Sequence, residues 1–310
     1  MRDLAVRTEN LTCEFGALRA VNQLTLEVPT GIVFGFLGPN GAGKTTTIRL
    51  LLGLLEPQAG RAEVLGCDTR TQADTIRRST GALLEHAGLY ERLSAEDNLD
   101  FFGRLWHWSA AERRARINDL LASVGLWERR RELVGTWSRG MKQKLAVARA
   151  LFHRPALVFL DEPTAGLDPQ SAVALREDLS ALTAREGVTV FLTTHNMAEA
   201  EKLCQQVGVI RQGKLIAAGH PDVLRARQSS PQLQITARGV NENVLTLLKS
   251  RADVKYAEIK NGHLLIDLTG EVDSAPLVNA LVNAGVEVEE VRKNKASLEA
   301  VFLTLMEEET

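Results

Sequence analysis

The residues with the clearest chemistry are Gly38-Pro39-Asn40-Gly41-Ala42-Gly43-Lys44-Thr45, spaced G-x-x-x-x-G-K-T. A loop of this kind turns its backbone N–H groups inward around a triphosphate, and a helix following it adds positive potential. Gly38, Gly41 and Gly43 permit the turn because they carry no Cβ. Lys44 is placed to reach the β- and γ-phosphates, the Thr45 hydroxyl to ligate Mg²⁺, and Thr46 to complete the phosphate-binding set. A second group of residues supplies acids. Asp161-Glu162 follows the apolar run Leu157-Val158-Phe159-Leu160, and the carboxyl end of a buried strand is where α/β sheets bind ligands. Asp161 can hold Mg²⁺ while Glu162 polarises a water for attack on the γ-phosphate. The plainer reading is an acidic cap, since Pro163 favours a turn. His195 also ends an apolar run, where it can hydrogen-bond a γ-phosphate or serve structure alone. Ser138-Arg139-Gly140 opens a helix, so it presents N–H groups to a phosphate or is simply an N-capped start.

These groups need elements to carry them. Ile32 to Leu37 is a short apolar run of the kind a buried parallel strand uses, and Thr46 to Leu52 has the length of a helix. Leu4 to Glu14 and Leu18 to Val28 read as strands around Phe15-Gly16, with Leu24, Leu26 and Val28 alternating with polar residues. Phe15 fits both base stacking and packing within that hairpin. Ala62 to Leu65 and Gly81 to Glu85 read as further short strands. Ser94-Ala95-Glu96-Asp97 resembles a capping box that opens a helix through Leu105. A second helix runs from about Ala111 to Val124, with Arg113, Arg114 and Arg116 as a solvated face. Helices over Ser138 to His153 and Ser171 to Glu186, and a strand over Val188 to Thr193, complete this part.

Bulk composition narrows the function classes. The chain has 310 residues, long for one core, so two domains are expected. A formal net charge of −2 argues against broad binding of nucleic acid. Cys13, Cys67 and Cys204 show no metal or disulfide spacing, which suits a reducing cytoplasm. No apolar run approaches the roughly 18 residues of a membrane span, and the N-terminal MRDLAVRTEN lacks a signal-peptide core.

Taken together, and in this order along residues 3 to 225, the motifs resemble an ABC transporter nucleotide-binding domain. Gly38 to Thr45 matches its Walker A loop, Leu157 to Glu162 Walker B, Gly166-Leu167-Asp168 the D-loop and His195 the switch histidine. Phe15 falls where the family often has an adenine-stacking aromatic. Ser138 to Gln143 takes the place of the signature, usually L-S-G-G-Q, with Arg139 replacing its first glycine. Glu85 falls at the Q-loop glutamine; a carboxylate can reach Mg²⁺ through water but cannot donate a hydrogen bond.

The resemblance implies ATP and Mg²⁺ as cofactors, with Thr45, Glu85 and Asp161 toward the metal, and Glu162 and His195 as catalytic residues. It implies a head-to-tail dimer in which Ser138 and Gly140 of one copy close the ATP site of the other. It also implies separate transmembrane permease subunits, no nucleic-acid partner, and a cytoplasmic protein peripheral on the inner face of the cell membrane. The stretch His86 to Leu93, with Leu89, Tyr90 and Leu93, would then be the docking surface.

The fold class expected is α/β: a P-loop NTPase domain of the ABC ATPase type over residues 1–225, with an antiparallel β subdomain and a helical subdomain over about 86–153. A linker at Ala226 to Gln232 leads to residues 226–310, whose β-α-β-β-α-β order fits a ferredoxin-like α+β accessory domain. Its hairpin would turn at Asn261-Gly262 and its last helix span Ser297 to Met306. The ending Leu298-Glu299-Ala300-Val301-Phe302 resembles the tail of ATPase subunits of the bacterial drug-export and sodium-export type. The expected function is the ATPase subunit of an exporter. The alternative, a soluble ABC-type ATPase in translation or DNA maintenance, lacks a second nucleotide domain or a long coiled coil here. A P-loop kinase or GTPase would leave Ser138 and His195 unexplained.

Overall fold

The computed structural model describes residues 3–228, 232–260, 263–269 and 273–294. The chain divides into two units, Met1–His220 and Pro221–Thr310. In the first, the elements are β1 (Leu4–Phe15), β2 (Leu18–Pro29), β3 (Val33–Leu37), α1 (Lys44–Leu51), β4 (Ala59–Val64), β5 (Cys67–Asp68), α2 (Ala73–Ser79), β6 (Thr80–Leu83), α3 (Ala95–Leu105), α4 (Ala110–Ser123), α5 (Arg139–Ala150), β7 (Leu157–Asp161), α6 (Pro169–Glu186), β8 (Thr189–Thr194), α7 (Met197–Leu203), β9 (Gln206–Arg211) and β10 (Lys214–Gly219).

Strands β2-β1-β4-β5 form an antiparallel sheet, and β10-β9-β3-β8-β7-β6 form a second sheet, parallel apart from β10. The sequence patterns differ as the two environments require. In β2, Leu24, Leu26 and Val28 are buried while Gln23, Thr25 and Glu27 are exposed, the alternation of a sheet with one wet face. In β3, β7 and β8 every residue is buried, because both faces of a parallel sheet are covered. Helix α1 contributes Ile48, Leu50 and Leu51 to one core together with Leu11, Leu24 and Leu26 of the antiparallel sheet and Phe34, Phe36 and Phe191 of the parallel one. Phe191 centres this core, 5.3, 5.5 and 5.6 Å from the rings of Phe34, Phe36 and Phe159. The helix that opens at the phosphate loop is therefore seated in this core.

Helices α3, α4 and α5 form the helical part. Ser94 caps α3 by accepting from Asp97 N–H at 3.1 Å, but its hydroxyl donates to the Asp97 carboxylate at 2.6 Å. The box expected there is thus half made, since the short Asp side chain engages the cap's hydroxyl. The complete reciprocal box stands at α4, between Ser109 and Glu112.

The arginines of α4 correct the sequence reading: only Arg114 lies on a solvated face. Arg113 binds Asp100 at 2.6 Å and the Trp108 carbonyl at 2.7 Å. Arg116 is 4% exposed and its guanidinium donates to the Leu151 and Phe152 carbonyls at 2.6 and 3.1 Å, to both Glu186 oxygens at 2.9 and 3.0 Å, and to Asp119 at 3.1 Å. One fork thus closes the C-terminal end of α5 and ties α4 to the end of α6. Arg116→Met should destabilise the protein by about 3–5 kcal/mol, because it breaks the buried pair with Glu186, leaving that carboxylate to Arg185 alone, and takes a donor from the Leu151 and Phe152 carbonyls. Arg116→Lys should recover little, since an ammonium cannot reproduce the fork. Burial opposes charge on Glu186, but hydrogen bonds from Arg116 and Arg185 outweigh it and hold the carboxyl below its usual range. This contribution is present above the unfolded carboxylate's pKa and lost as pH falls through the lower folded value. Denaturant unfolding measures both effects, and a loss below about 1 kcal/mol for Arg116→Met would contradict the clamp.

The second unit contains α8 (Pro221–Gln228), β11 (Gln232–Arg238), α9 (Glu242–Lys249), β12 (Val254–Lys260), β13 (His263–Leu268), α10 (Ala275–Asn283) and β14 (Glu287–Asn294). Its strands pair antiparallel in the order β12-β13-β11-β14, the ferredoxin-like arrangement, and Leu233, Ile235, Val244, Leu248, Ile266, Leu277 and Leu281 fill the core. Residues 226–228, read as linker, are instead the last turn of α8. The expected turn at Asn261-Gly262 lies outside the described residues, although Lys260 and His263 pair across it. The helix Ser297 to Met306, with the Leu298 to Phe302 ending, also lies outside them.

Candidate functional site

Strand order gathers the site. β8 lies between β3 and β7, so the loops leaving these three strands adjoin at one edge of the sheet. Leu37 pairs with Thr194, and Asp161 with Thr193. The phosphate loop leaves β3, the acidic pair ends β7, and His195 follows β8.

The loop is tightly held from behind. A Cβ on Gly38 would come within 2.4 Å of the Ile210 carbonyl, and one on Gly43 within 2.2 Å of the Ala20 carbonyl. Gly43 also has φ +106°, which strains any residue with a side chain. Pro39, Asn40 and Gly41 are exposed at the loop's tip, and Ala42 is buried behind it. Gly43 stands at the N-cap of α1 with no side-chain cap and no acid in the first turn, leaving those N–H groups and the helix dipole to an anion. Thr45 and Thr46 lie in that turn, half-buried.

Lys44 is 5% exposed, and its ammonium meets the Gly38 and Pro39 carbonyls at 2.7 and 3.1 Å and a Glu162 carboxylate oxygen at 3.0 Å. Two carbonyls thus take ammonium donors, and the Glu162 carboxylate pairs with its charge. The other Glu162 oxygen lies 2.7 Å from His195 Nδ1. Thr45 donates to Asp161 Oδ2 at 2.7 Å, and Thr193 donates to Oδ1 at 2.5 Å. Glu162 has φ +48°, a conformation costing on the order of 1–3 kcal/mol for a residue with a side chain. Its N–H holds the bend by donating to Thr193 Oγ1 and O at 3.0 and 3.2 Å. Thr193 is thus the site residue that sequence reasoning missed. A hydroxyl residue one place before the strand-end Thr194-His195 was the available signal.

Four expected residues stand apart from this cluster. Glu85 lies beyond the end of β6, and its side chain is 70% exposed and 3.9 Å from Arg49. No contact joins it to Thr45 or Asp161. Phe15 is 50% exposed at the end of β1, so it does not serve as hairpin packing. Ser138 caps α5 by accepting from Met141 N–H at 3.3 Å, and Gly140 packs where a Cβ would meet Ser171 Oγ at 3.0 Å. The Arg139 guanidinium lies directly over Gly166, so the signature and D-loop positions touch within one chain. Asp168 caps α6, and the Ser171 hydroxyl and N–H groups hold its carboxyl below the usual range.

The residues present suit a Mg²⁺-nucleoside triphosphate. Thr45 and Asp161 converge as hard oxygen donors, the class Mg²⁺ takes. The backbone behind the loop has room only for glycine, and the Lys44 ammonium stands at its centre. When bound, the metal would neutralise charge on the phosphates; Asp161 and Thr45 are the residues to hold it. Glu162 is a carboxylate held at the same edge by Lys44 and His195.

Comparisons with known proteins agree. A family profile described as ABC transporter matches residues 21–165. A daunorubicin resistance ATP-binding protein of Streptomyces coeruleorubidus is 36% identical over 306 residues, covering 98% of this chain and 96% of the relative. The bacitracin transport ATP-binding protein of Bacillus licheniformis is 34% identical over 301 residues, covering 97% of each. The solved structure of cbiO1 from Clostridium perfringens, described as part of an ABC transporter complex, aligns with a TM-score of 0.68 at 26% identity, over 73% of this chain and 92% of that one. With a phosphate loop, an anchored acid pair and a strand-end histidine gathered on one sheet edge, the chain belongs to the ABC transporter family, as an ATP-binding and ATP-hydrolysing subunit.

Proposed function

We propose that this subunit drives export through separate permease chains, working as a head-to-tail dimer that holds two ATP–Mg²⁺ at its interface. The observation that carries the chemistry is the meeting of Lys44, Glu162 and His195 within contacts of 3.0 Å or less. Lys44 and the α1 N–H groups bind phosphate, Thr45 and Asp161 hold the metal, Glu162 takes the proton of the attacking water, and His195 orients Glu162 and the γ-phosphate. Ser138 and Gly140 supply donors to the partner's nucleotide, and the exposed Phe15 ring offers a face to the adenine. Glu85 reaches the metal through water only by leaving Arg49. The export reading is supported by relatives named for daunorubicin resistance and bacitracin transport, matched over nearly their full length. The C-terminal unit serves as an accessory domain, and the subunit works at the cytoplasmic face of the membrane. Among the described residues no helix is long and apolar enough to cross a membrane.

The permease-facing surface we assign to Tyr90 and its neighbours. Tyr90 is 48% exposed and packs edge-on against Phe101 at 4.9 Å, and the buried Asn98 holds its backbone at 2.8 and 3.0 Å. A rigid aromatic platform with a hydroxyl suits a short helix from a partner. Tyr90→Ala should leave basal ATPase of the isolated subunit within about twofold of parental and reduce recovery of the permease in pull-down by about tenfold, the loss of one hot-spot aromatic. Loss of ATPase with permease binding retained would show that the platform is core instead.

A further inference from the structure

Among the described residues, one buried carboxylate has no part in the steps proposed above. Glu199, in the first turn of α7, is 8% exposed and touches three segments that carry catalytic motifs. Its Oε2 accepts from the Thr164 hydroxyl at 2.6 Å, and Thr164 lies two residues past Glu162. Its Oε1 lies 3.5 Å from Arg176 of α6, the helix capped by Asp168. Its N–H donates to Asn196 Oδ1 at 3.2 Å, and the Asn196 N–H donates to Thr194 Oγ1 at 2.9 Å, so the turn bearing His195 is tied to the same helix start.

We propose that Glu199 is a positioning residue that locks the His195 turn to the Glu162 turn and so holds the acid in its productive place. The contacts make a closed ring. At one end Glu162 meets His195 at 2.7 Å, and at the other Thr164 meets Glu199 at 2.6 Å. Between them the chain from Glu162 runs through two tight turns, Ala165 N–H to Glu162 O at 3.0 Å and Leu167 N–H to Thr164 O at 3.2 Å. Thr193 fixes the start of this segment and the Asp168 cap fixes its end; the Thr164–Glu199 bond is a side-chain anchor between them. Glu162 sits at φ +48°, a conformation that persists only where its surroundings over-determine it. A charge-assisted bond from a buried carboxylate is a strong restraint of that kind. Arg176 balances the charge of Glu199 and brings α6 into the same lock. The inference rests on the reading of Glu162 as the water-activating acid.

The test is steady-state ATPase and equilibrium ATP binding of the full chain for Thr164→Val, Thr164→Ser, Glu199→Ala and Thr164→Val/Glu199→Ala, with Glu162→Gln in the same series. Thr164→Val keeps the shape and removes the donor, and should lower kcat about tenfold or more, with KM and ATP affinity within about twofold, as misplacement of a reacting group does. Thr164→Ser keeps the donor and should restore kcat. The double variant should be no slower than Glu199→Ala alone, because both remove one bond. Parental kcat for Thr164→Val overturns the proposal, as does a Thr164→Ser as slow as Thr164→Val, or a fall in ATP affinity matching the fall in kcat. Should Glu199→Ala not fold, the Val and Ser pair decides. Inactive Glu162→Gln beside a fully active Thr164→Val defeats this inference alone; an active Glu162→Gln defeats the reading of Glu162 and the inference with it.

Discussion

Glu162→Gln should abolish steady-state hydrolysis, by a hundredfold or more on the scale of about 10²–10⁴ for a lost general base, while ATP binds more tightly than to the parent. The first effect follows from chemistry: an amide of the same shape cannot accept the water's proton. The second follows from the Lys44 contacts. In the parent the Glu162 carboxylate forms an ion pair with the ammonium at 3.0 Å, in competition with any phosphate. Removing its charge releases Lys44 from that ion pair without disturbing the Gly38 and Pro39 carbonyls that aim it. Phosphate-release assays and equilibrium titration with labelled ATP read the two effects separately. Hydrolysis within a few-fold of the parent would show that Glu162 is not the base. Weaker ATP binding would show that Glu162 does not compete for Lys44.

Ser138→Arg and Lys44→Ala should each be inactive alone and active together. Ser138 is exposed at the start of α5, away from the Lys44 cluster in the contacts of its own chain, so added bulk there should leave ATP binding by the isolated subunit intact. Lys44→Ala instead removes the ammonium from the phosphate loop and should weaken nucleotide binding itself. In an equal mixture, random pairing leaves about a quarter of the composite sites with a sound loop from one copy and a sound signature from the other. Hydrolysis should recover toward that fraction of parental. If both motifs faced one nucleotide within a single chain, the mixture would stay silent even with mixed dimers present.

How much of this was legible beforehand depended on whether the physics was local. The phosphate loop was readable because its glycines, Lys44 and Thr45 are contiguous, and a buried strand and a helix are written beside it as apolar runs. The acid pair and His195 were readable for the same reason, each ending such a run. What joins them was not. Strand β8 lies between β3 and β7, and only that order brings Thr193 opposite Asp161. Arg116 looked like one of three arginines on a wet helix face, since its partner Glu186 lies 70 residues away. Glu199 reads as an ordinary helix acid until α7 is set against Thr164. Whether Phe15 packs or offers its ring likewise depends on exposure, which is set by where the hairpin ends in the folded chain.

In the proposed dimer, two copies of this chain enclose ATP between the Walker residues of one and Ser138 of the other. Sedimentation of the Glu162→Gln protein with and without ATP and Mg²⁺, with bound nucleotide counted in the same sample, tests it most directly. Conversion from monomer to dimer is expected only when both are present, with one ATP per chain trapped unhydrolysed, and no dimer is expected when Ser138→Arg is added to Glu162→Gln. A monomer that holds ATP tightly, or a dimer that forms equally well with Ser138→Arg, would contradict it.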